Sequence, residues 1–137
     1  MINTYIKEGK IVPAEVTVGL LRAAMEKAGA HSKFLIDGFP RDPGNLRCWE
    51  ETMDDCTLTK AVLYLNAPEA VMLERLLERG KTSGRSDDNA ESIKKRFKTY
   101  VESTMPIIEH FKAQEKLWEV RADRPIGDVS ADVLKFF

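Results

Sequence analysis

At 137 residues the chain is one domain's worth of polypeptide, long enough to bury roughly two-thirds of its unfolded surface. Hydrophobic residues make up 43% and charged residues 31%, a balance that argues against intrinsic disorder. Lys plus Arg total 21 against 22 Asp plus Glu, a formal net charge of −1; this argues against a dedicated nucleic-acid coat and leaves room for a local basic pocket. No apolar run approaches membrane-spanning length, and Met1–Thr4 has neither a basic nor an apolar leader pattern. Cys48 and Cys56 lack a CxxC spacing, so free thiols in a reducing compartment are expected. His31 and His110 lie far apart, and no His/Cys metal site is expected.

Taken in chain order, residues 13–28 read as a helix with Pro13 in its first turn, Val16, Leu20 and Ala24 on one face, and Gly29 as its end. Lys33–Asp37 carries the apolar run Phe34-Leu35-Ile36 and predicts a buried strand, with Gly38-Phe39-Pro40 as a tight loop after it. Asp42-Pro43 opens a helix with Leu46, Trp49 and Met53 on one side. Ala61–Leu65 predicts a second buried strand. Ala67-Pro68 starts a helix carrying Val71, Leu73, Leu76 and Leu77, which stops at Gly80. Residues 81–88 are polar. A long helix follows from about Asn89, with Ile93, Phe97, Tyr100 and Val101 inward, and Pro106 is expected to kink or split it. Leu117–Val120 predicts a weaker third strand and Pro125–Phe137 a final helix. Strands alternating with helices imply right-handed crossovers and a parallel sheet covered on both faces, with ligands beyond the carboxyl ends of the strands.

Asp37 sits where the first strand should end, a place from which an acid can hold hydrated Mg²⁺ beside phosphates; taken alone, a turn-capping role is the commoner one. Arg41 follows Gly38-Phe39-Pro40, and a guanidinium on so fixed a loop can grip phosphate with two parallel hydrogen bonds; a surface Arg on a turn is again commoner. The run Glu74–Gly80 then Lys81–Asp88 places Arg75 and Arg79 on one helix face, Arg85 after Gly84 in a loop able to hinge, and Arg96 on the next helix. Four arginines around a polar loop can neutralise a polyphosphate and close over it. The competing reading is a solvated face, with Glu74 and Glu78 pairing the arginines. Gly80-Lys81-Thr82 imitates the tail of a phosphate-binding P-loop, but the glycine required five residues earlier is Arg75, and a helix precedes it instead of a strand.

Together these segments resemble nucleoside monophosphate kinases of the adenylate kinase type, the UMP/CMP kinase branch in particular. The resemblance begins at Tyr5-Ile6-Lys7-Glu8-Gly9-Lys10-Ile11-Val12-Pro13 and passes through Phe34–Arg41 and Glu78–Asn89. It ends with Lys95-Arg96-Phe97 and the final helix, covering nearly the whole chain in family order. It implies a P-loop NTPase-like α/β fold, a three-layer parallel sheet flanked by helices, in a single domain over 1–137. Residues 1–12 would be a remnant of the monophosphate-binding subdomain and 78–88 a short lid. It implies that Lys10, Ile11 and Val12 line the monophosphate site, that Gly38, Phe39, Pro40 and Arg41 hold the monophosphate, and that Asp37 stands near Mg²⁺ through water. Arg75 would lie on the ATP adenine, Arg79 on ATP phosphates, Arg85 and Arg96 between donor and acceptor phosphates, and Arg124 would offer its backbone to adenine. Asn45 would choose the base: its amide has both donor and acceptor and can read cytosine or uracil, where the alternative is a helix-start Asn satisfying a free backbone N–H.

The implied partners are ATP, CMP and UMP, with Mg²⁺ and without nucleic acid or membrane, for a monomer of the cytoplasm with the nucleus as second compartment. One family element is missing. No G-x-x-x-x-G-K-[ST] occurs in the sequence, and the central first strand that should precede that loop is absent too. Such a chain is expected to be inactive or nearly so, and to expose strand edges and apolar faces at Lys33–Asp37 and Ala61–Leu65. The alternative is a non-catalytic nucleotide-binding or interaction fragment of the same fold.

Overall fold

A computed structural model describes Tyr5, Glu8 and residues 10–29, 31–85 and 87–137. Ile6, Lys7 and Gly9 of the first motif, and Ser86 of the expected lid, lie outside the described residues. Helix α1 spans Ala14–Ala28, with Pro13 at its N-cap and Gly29 at its C-cap. Helix α2 spans Pro43–Met53; Asp42 is its N-cap, and the Asp42 carboxylate accepts from the Asn45 amide at 2.6 Å. Strand β1 is Val62–Asn66 and α3 is Glu69–Gly80. Helix α4, Ala90–Thr99, starts at an Asn89 cap. A π-helical stretch, Tyr100–Thr104, joins it to α5, Met105–Ala113. Strand β2, Leu117–Arg121, and α6, Ile126–Leu134, complete the chain.

The split in the long helix has a local cause. Pro106 has no N–H to give the carbonyl four residues back, and its ring crowds that carbonyl. The chain widens into i→i+5 bonding just before the proline, then resumes as α5.

Two strands form the sheet among the described residues. β1 and β2 are parallel, in register from Val62↔Leu117 to Asn66↔Arg121. The expected strand over Lys33–Asp37 does not form: those residues have no ladder partner, Asp37 already lies in a turn, and Leu35 is 85% exposed. An apolar run becomes a strand only when a neighbour takes its backbone N–H and C=O groups, and no described strand lies beside it. Leu65 on β1 is half-exposed for a similar reason.

The core has two apolar clusters, and α2 is the wall between them. On one side Val18, Trp49 and Met53 pack with Leu21, Met25, Ile36, Phe39 and Cys48. On the other, Leu46 packs with Ile107 and Phe111 of α5 and with Val62 and Leu117 of the sheet. The inward face of α1 is therefore Val18, Leu21 and Met25. The face that carries Val16, Leu20 and Ala24 is the more exposed one, with Val16 half-buried and Leu20 67% exposed. Both stripes of α1 are apolar, and the choice was made by the shape of Trp49 and Met53, which periodicity does not encode. The outward stripe lines an open apolar depression of about 360 Å³ with Val12.

Candidate active site

The loop ahead of α2 is built around Arg41. Gly38 has φ +69°, and a Cβ on it would stand 2.7 Å from Arg41 Nη2. Glycine is needed both for the left-handed backbone and for this close approach. Arg41 Nε donates to the Gly38 carbonyl at 2.6 Å, curling the exposed side chain over its own loop. The Phe39–Pro40 peptide is cis, and the Phe39 ring lies 5.5 Å from Trp49, which anchors the loop to the first cluster.

Asn45, one turn into α2, is 3% exposed. Its Oδ1 accepts from the Arg41 backbone N–H at 3.3 Å, and its Nδ2 is buried with no partner. The capping alternative thus holds for half the amide. The other half is an unpaired donor, which carries a desolvation cost unless a further acceptor meets it.

The lid arginines converge. Arg79 makes a bidentate pair with Asp88, Nε to Oδ2 at 2.8 Å and Nη2 to Oδ1 at 2.6 Å, and Ser83 Oγ donates to the same carboxylate at 2.9 Å. Arg85 makes a second fork with Asp87 at 3.0 Å for both bonds. Arg96 reaches Asp87 at 3.1 Å and Asp88 at 3.6 Å. Both carboxylates are buried. The hydrogen bonds from Arg79 lower Asp88 to a pKa of about 2 against the cost of burial, and those from Arg85 lower Asp87 in the same direction. Burial pulls the Arg96 guanidinium below its ordinary value, with Asp87 opposing. Glu78 pairs with Lys81, and among the described residues with no arginine. Asp87 and Asp88 are the residues that sequence reasoning passed over. Their signal was the Ser-Asp-Asp-Asn run, read only as polar loop and as part of the segment that carries the family resemblance.

Arg75 and Arg124 meet at a different place. Arg75 Nη1 donates to the Ala122 carbonyl at 2.7 Å, and Arg124 bonds the Arg121 carbonyl and Asp132. Both therefore stand at the loop beyond the carboxyl end of β2. Lys10 is exposed and paired with Glu8 at 2.6 Å, while Ile11 and Val12 are half-buried. Arg79, Arg85 and Arg96 share the carboxylates Asp87 and Asp88, while the Arg41 guanidinium bonds the Gly38 carbonyl of its own loop.

A profile of the adenylate kinase family, described as "Adenylate kinase", matches residues 1–116. The chain belongs to the adenylate kinase family. It is 54% identical over 136 residues to a Saccharomyces cerevisiae protein named uridylate kinase, covering 97% of this chain and 65% of that one. It is 46% identical over 141 residues to a Rattus norvegicus protein named UMP-CMP kinase, covering 100% and 72%. To a Danio rerio protein of that same name it is 50% identical, covering 97% and 70%. The chain thus spans about two-thirds of the length of the relatives it matches.

Adenylate kinase family members generally use ATP with Mg²⁺, and Asp37 is the residue expected from the sequence to stand near that ion. It is exposed, and no group of three or more His, Cys, Asp or Glu suited to a metal occurs among the described residues. One carboxylate is too small a donor set to hold Mg²⁺ unaided. It does fit an ion that arrives already ligated by phosphates and water.

Gly80 packs directly against the backbone of Asp88. A Cβ there would stand 2.4 Å from the Asp88 carbonyl oxygen, and backbone cannot yield as a side-chain tip can. Gly80→Ala is expected to push α3 from the Asp87–Asp88 turn and to cost roughly 1–3 kcal/mol, the usual range for overpacking. Urea denaturation checks this, and an unchanged midpoint refutes it.

Proposed function

We propose that the chain carries the acceptor-binding and lid parts of a pyrimidine nucleoside monophosphate kinase, which moves the γ-phosphoryl group of ATP, bound with Mg²⁺, to CMP or UMP to give CDP or UDP. The observation that carries this reading is the convergence of Arg79, Arg85 and Arg96 on one turn. The names of the related proteins support the choice of acceptor. Transfer is in line, with an acceptor phosphate oxygen as nucleophile and no covalent enzyme intermediate. The protein's share is to position and to neutralise charge. Arg41 takes the acceptor phosphate, and the lid trio takes the charge that develops between donor and acceptor. The unpaired Asn45 Nδ2 donates to a pyrimidine carbonyl. Lid closure over the pair keeps water from the γ-phosphoryl group. A cytoplasmic and nuclear monomer belongs to the same proposal.

The 137 residues contain no P-loop, and each lost phosphate-cradling donor removes roughly 10²–10³ in rate. Turnover by the chain alone is therefore expected at background, with monophosphate binding retained, as a nucleotide-binding fragment of the fold would behave. Calorimetry with CMP, UMP and AMP tests the binding, and an ADP-release assay tests turnover. CMP and UMP should bind and AMP should bind more weakly. Arg41→Ala should weaken CMP by roughly 10- to 100-fold, the scale of a charged hydrogen bond, without moving the urea midpoint, because the side chain is exposed. Equal or tighter AMP binding refutes the role of Asn45, and no heat with any monophosphate refutes the acceptor site.

A further inference from the structure

The π-helical stretch Tyr100–Thr104 makes two side-chain hydrogen bonds to distant parts of the sequence. At its start the Tyr100 hydroxyl bonds the Tyr64 hydroxyl of β1 at 2.8 Å. At its end Thr104 Oγ1 donates to the backbone carbonyl of Arg41 at 2.6 Å, across 63 positions of sequence. That carbonyl lies just ahead of the Asp42 cap, where α2 has not yet begun to accept its own N–H groups. The same helical rod carries Arg96 into the lid turn through α4. The rod therefore holds the sheet, the lid and the loop of Arg41 by three separate polar contacts.

We propose that Thr104 is a positioning residue of the acceptor site, which pins the Arg41 backbone to the rod that carries Arg96 and so sets where the Arg41 guanidinium meets the acceptor phosphate. The proposal rests on the acceptor reading of Arg41. Arg41 is held at both of its backbone polar groups: its N–H by Asn45 and its C=O by Thr104. Free of the second contact, the loop keeps its apolar anchor at Phe39 and Trp49 but loses the tie that fixes the residue after Pro40.

Thr104→Val keeps the shape and deletes the donor; Thr104→Ser keeps the donor. Two readouts decide. In amide hydrogen exchange on the chain without nucleotide, Thr104→Val should speed exchange at Arg41 and Asn45 by about five- to tenfold, the worth of one neutral hydrogen bond, and Thr104→Ser should restore it. Unchanged exchange in Thr104→Val overturns the tie, whatever the outcome with nucleotide. In CMP calorimetry, Thr104→Val should weaken binding by a similar factor in the wild-type background and have no effect in the Arg41→Ala background. Equal weakening in both backgrounds overturns the positioning role. If the wild-type chain takes no monophosphate, the acceptor reading fails and the exchange data alone judge the tie.

Discussion

Asp88→Ala is expected to lower the free energy of unfolding at pH 7 by about 3 kcal/mol, the scale for removing one partner of a buried ion pair. The Asp88 carboxylate accepts from Arg79 twice and from Ser83 once, and Arg96 lies 3.6 Å away. Without it, three guanidiniums keep one carboxylate between them. The effect should depend on pH. Asp88 falls from the ordinary 3.8 to about 2 in the folded chain, which links to about 2 kcal/mol of stability. A depressed carboxylate stabilises the fold above its unfolded pKa and loses that contribution as pH falls through its folded pKa. The wild-type chain should therefore lose stability between about pH 4 and pH 2, and Asp87, shifted the same way by Arg85, adds to this. Urea unfolding of wild type and Asp88→Ala at pH 7 and pH 2 is the check. The gap should shrink at the acid end, and an equal gap at both pH values would refute the electrostatic account.

Met53→Ala is expected to cost roughly 2–5 kcal/mol, the range for deleting a large core side chain. Met53 is 2% exposed and packs with Val18 and Trp49, in the cluster that also receives Ile36 and Phe39. The cavity would open beneath the segment leading to Arg41. The loss should therefore appear twice: as a lower urea midpoint, and as faster amide exchange at Phe39 and Arg41. Faster exchange confined to α1, with the Phe39–Arg41 amides unchanged, would show that the acceptor loop does not lean on this cluster.

Helix boundaries were legible because their causes are local. Asp42, Pro43, Asn89 and Gly29 act on the backbone within a few residues, and Pro106 announced the break that the π-helical stretch makes. Arg79, Arg85 and Arg96 could be singled out from their spacing around Gly80 and Gly84, and the fold does bring all three onto one turn. What failed was non-local. Phe34-Leu35-Ile36 has the composition of a strand but no described partner. The facing of α1 was decided by Trp49 and Met53, more than twenty residues away. Asp87 and Asp88 look like ordinary loop acids until three arginines from two helices and a turn are brought onto them. Thr104 gives no sign of its tie to Arg41, since the chain between them is 63 positions long.

The lid trio has one further consequence. Three guanidiniums and two carboxylates leave a single net positive charge at the turn, and both carboxylates already fill fork positions that phosphate oxygens would seek. On the proposed reading, an incoming polyphosphate would therefore enter by exchange, displacing an internal anion for each fork it takes. Such a clasp grips less tightly than bare arginines would. When that anion left, the same guanidiniums would fall back on Asp87 and Asp88.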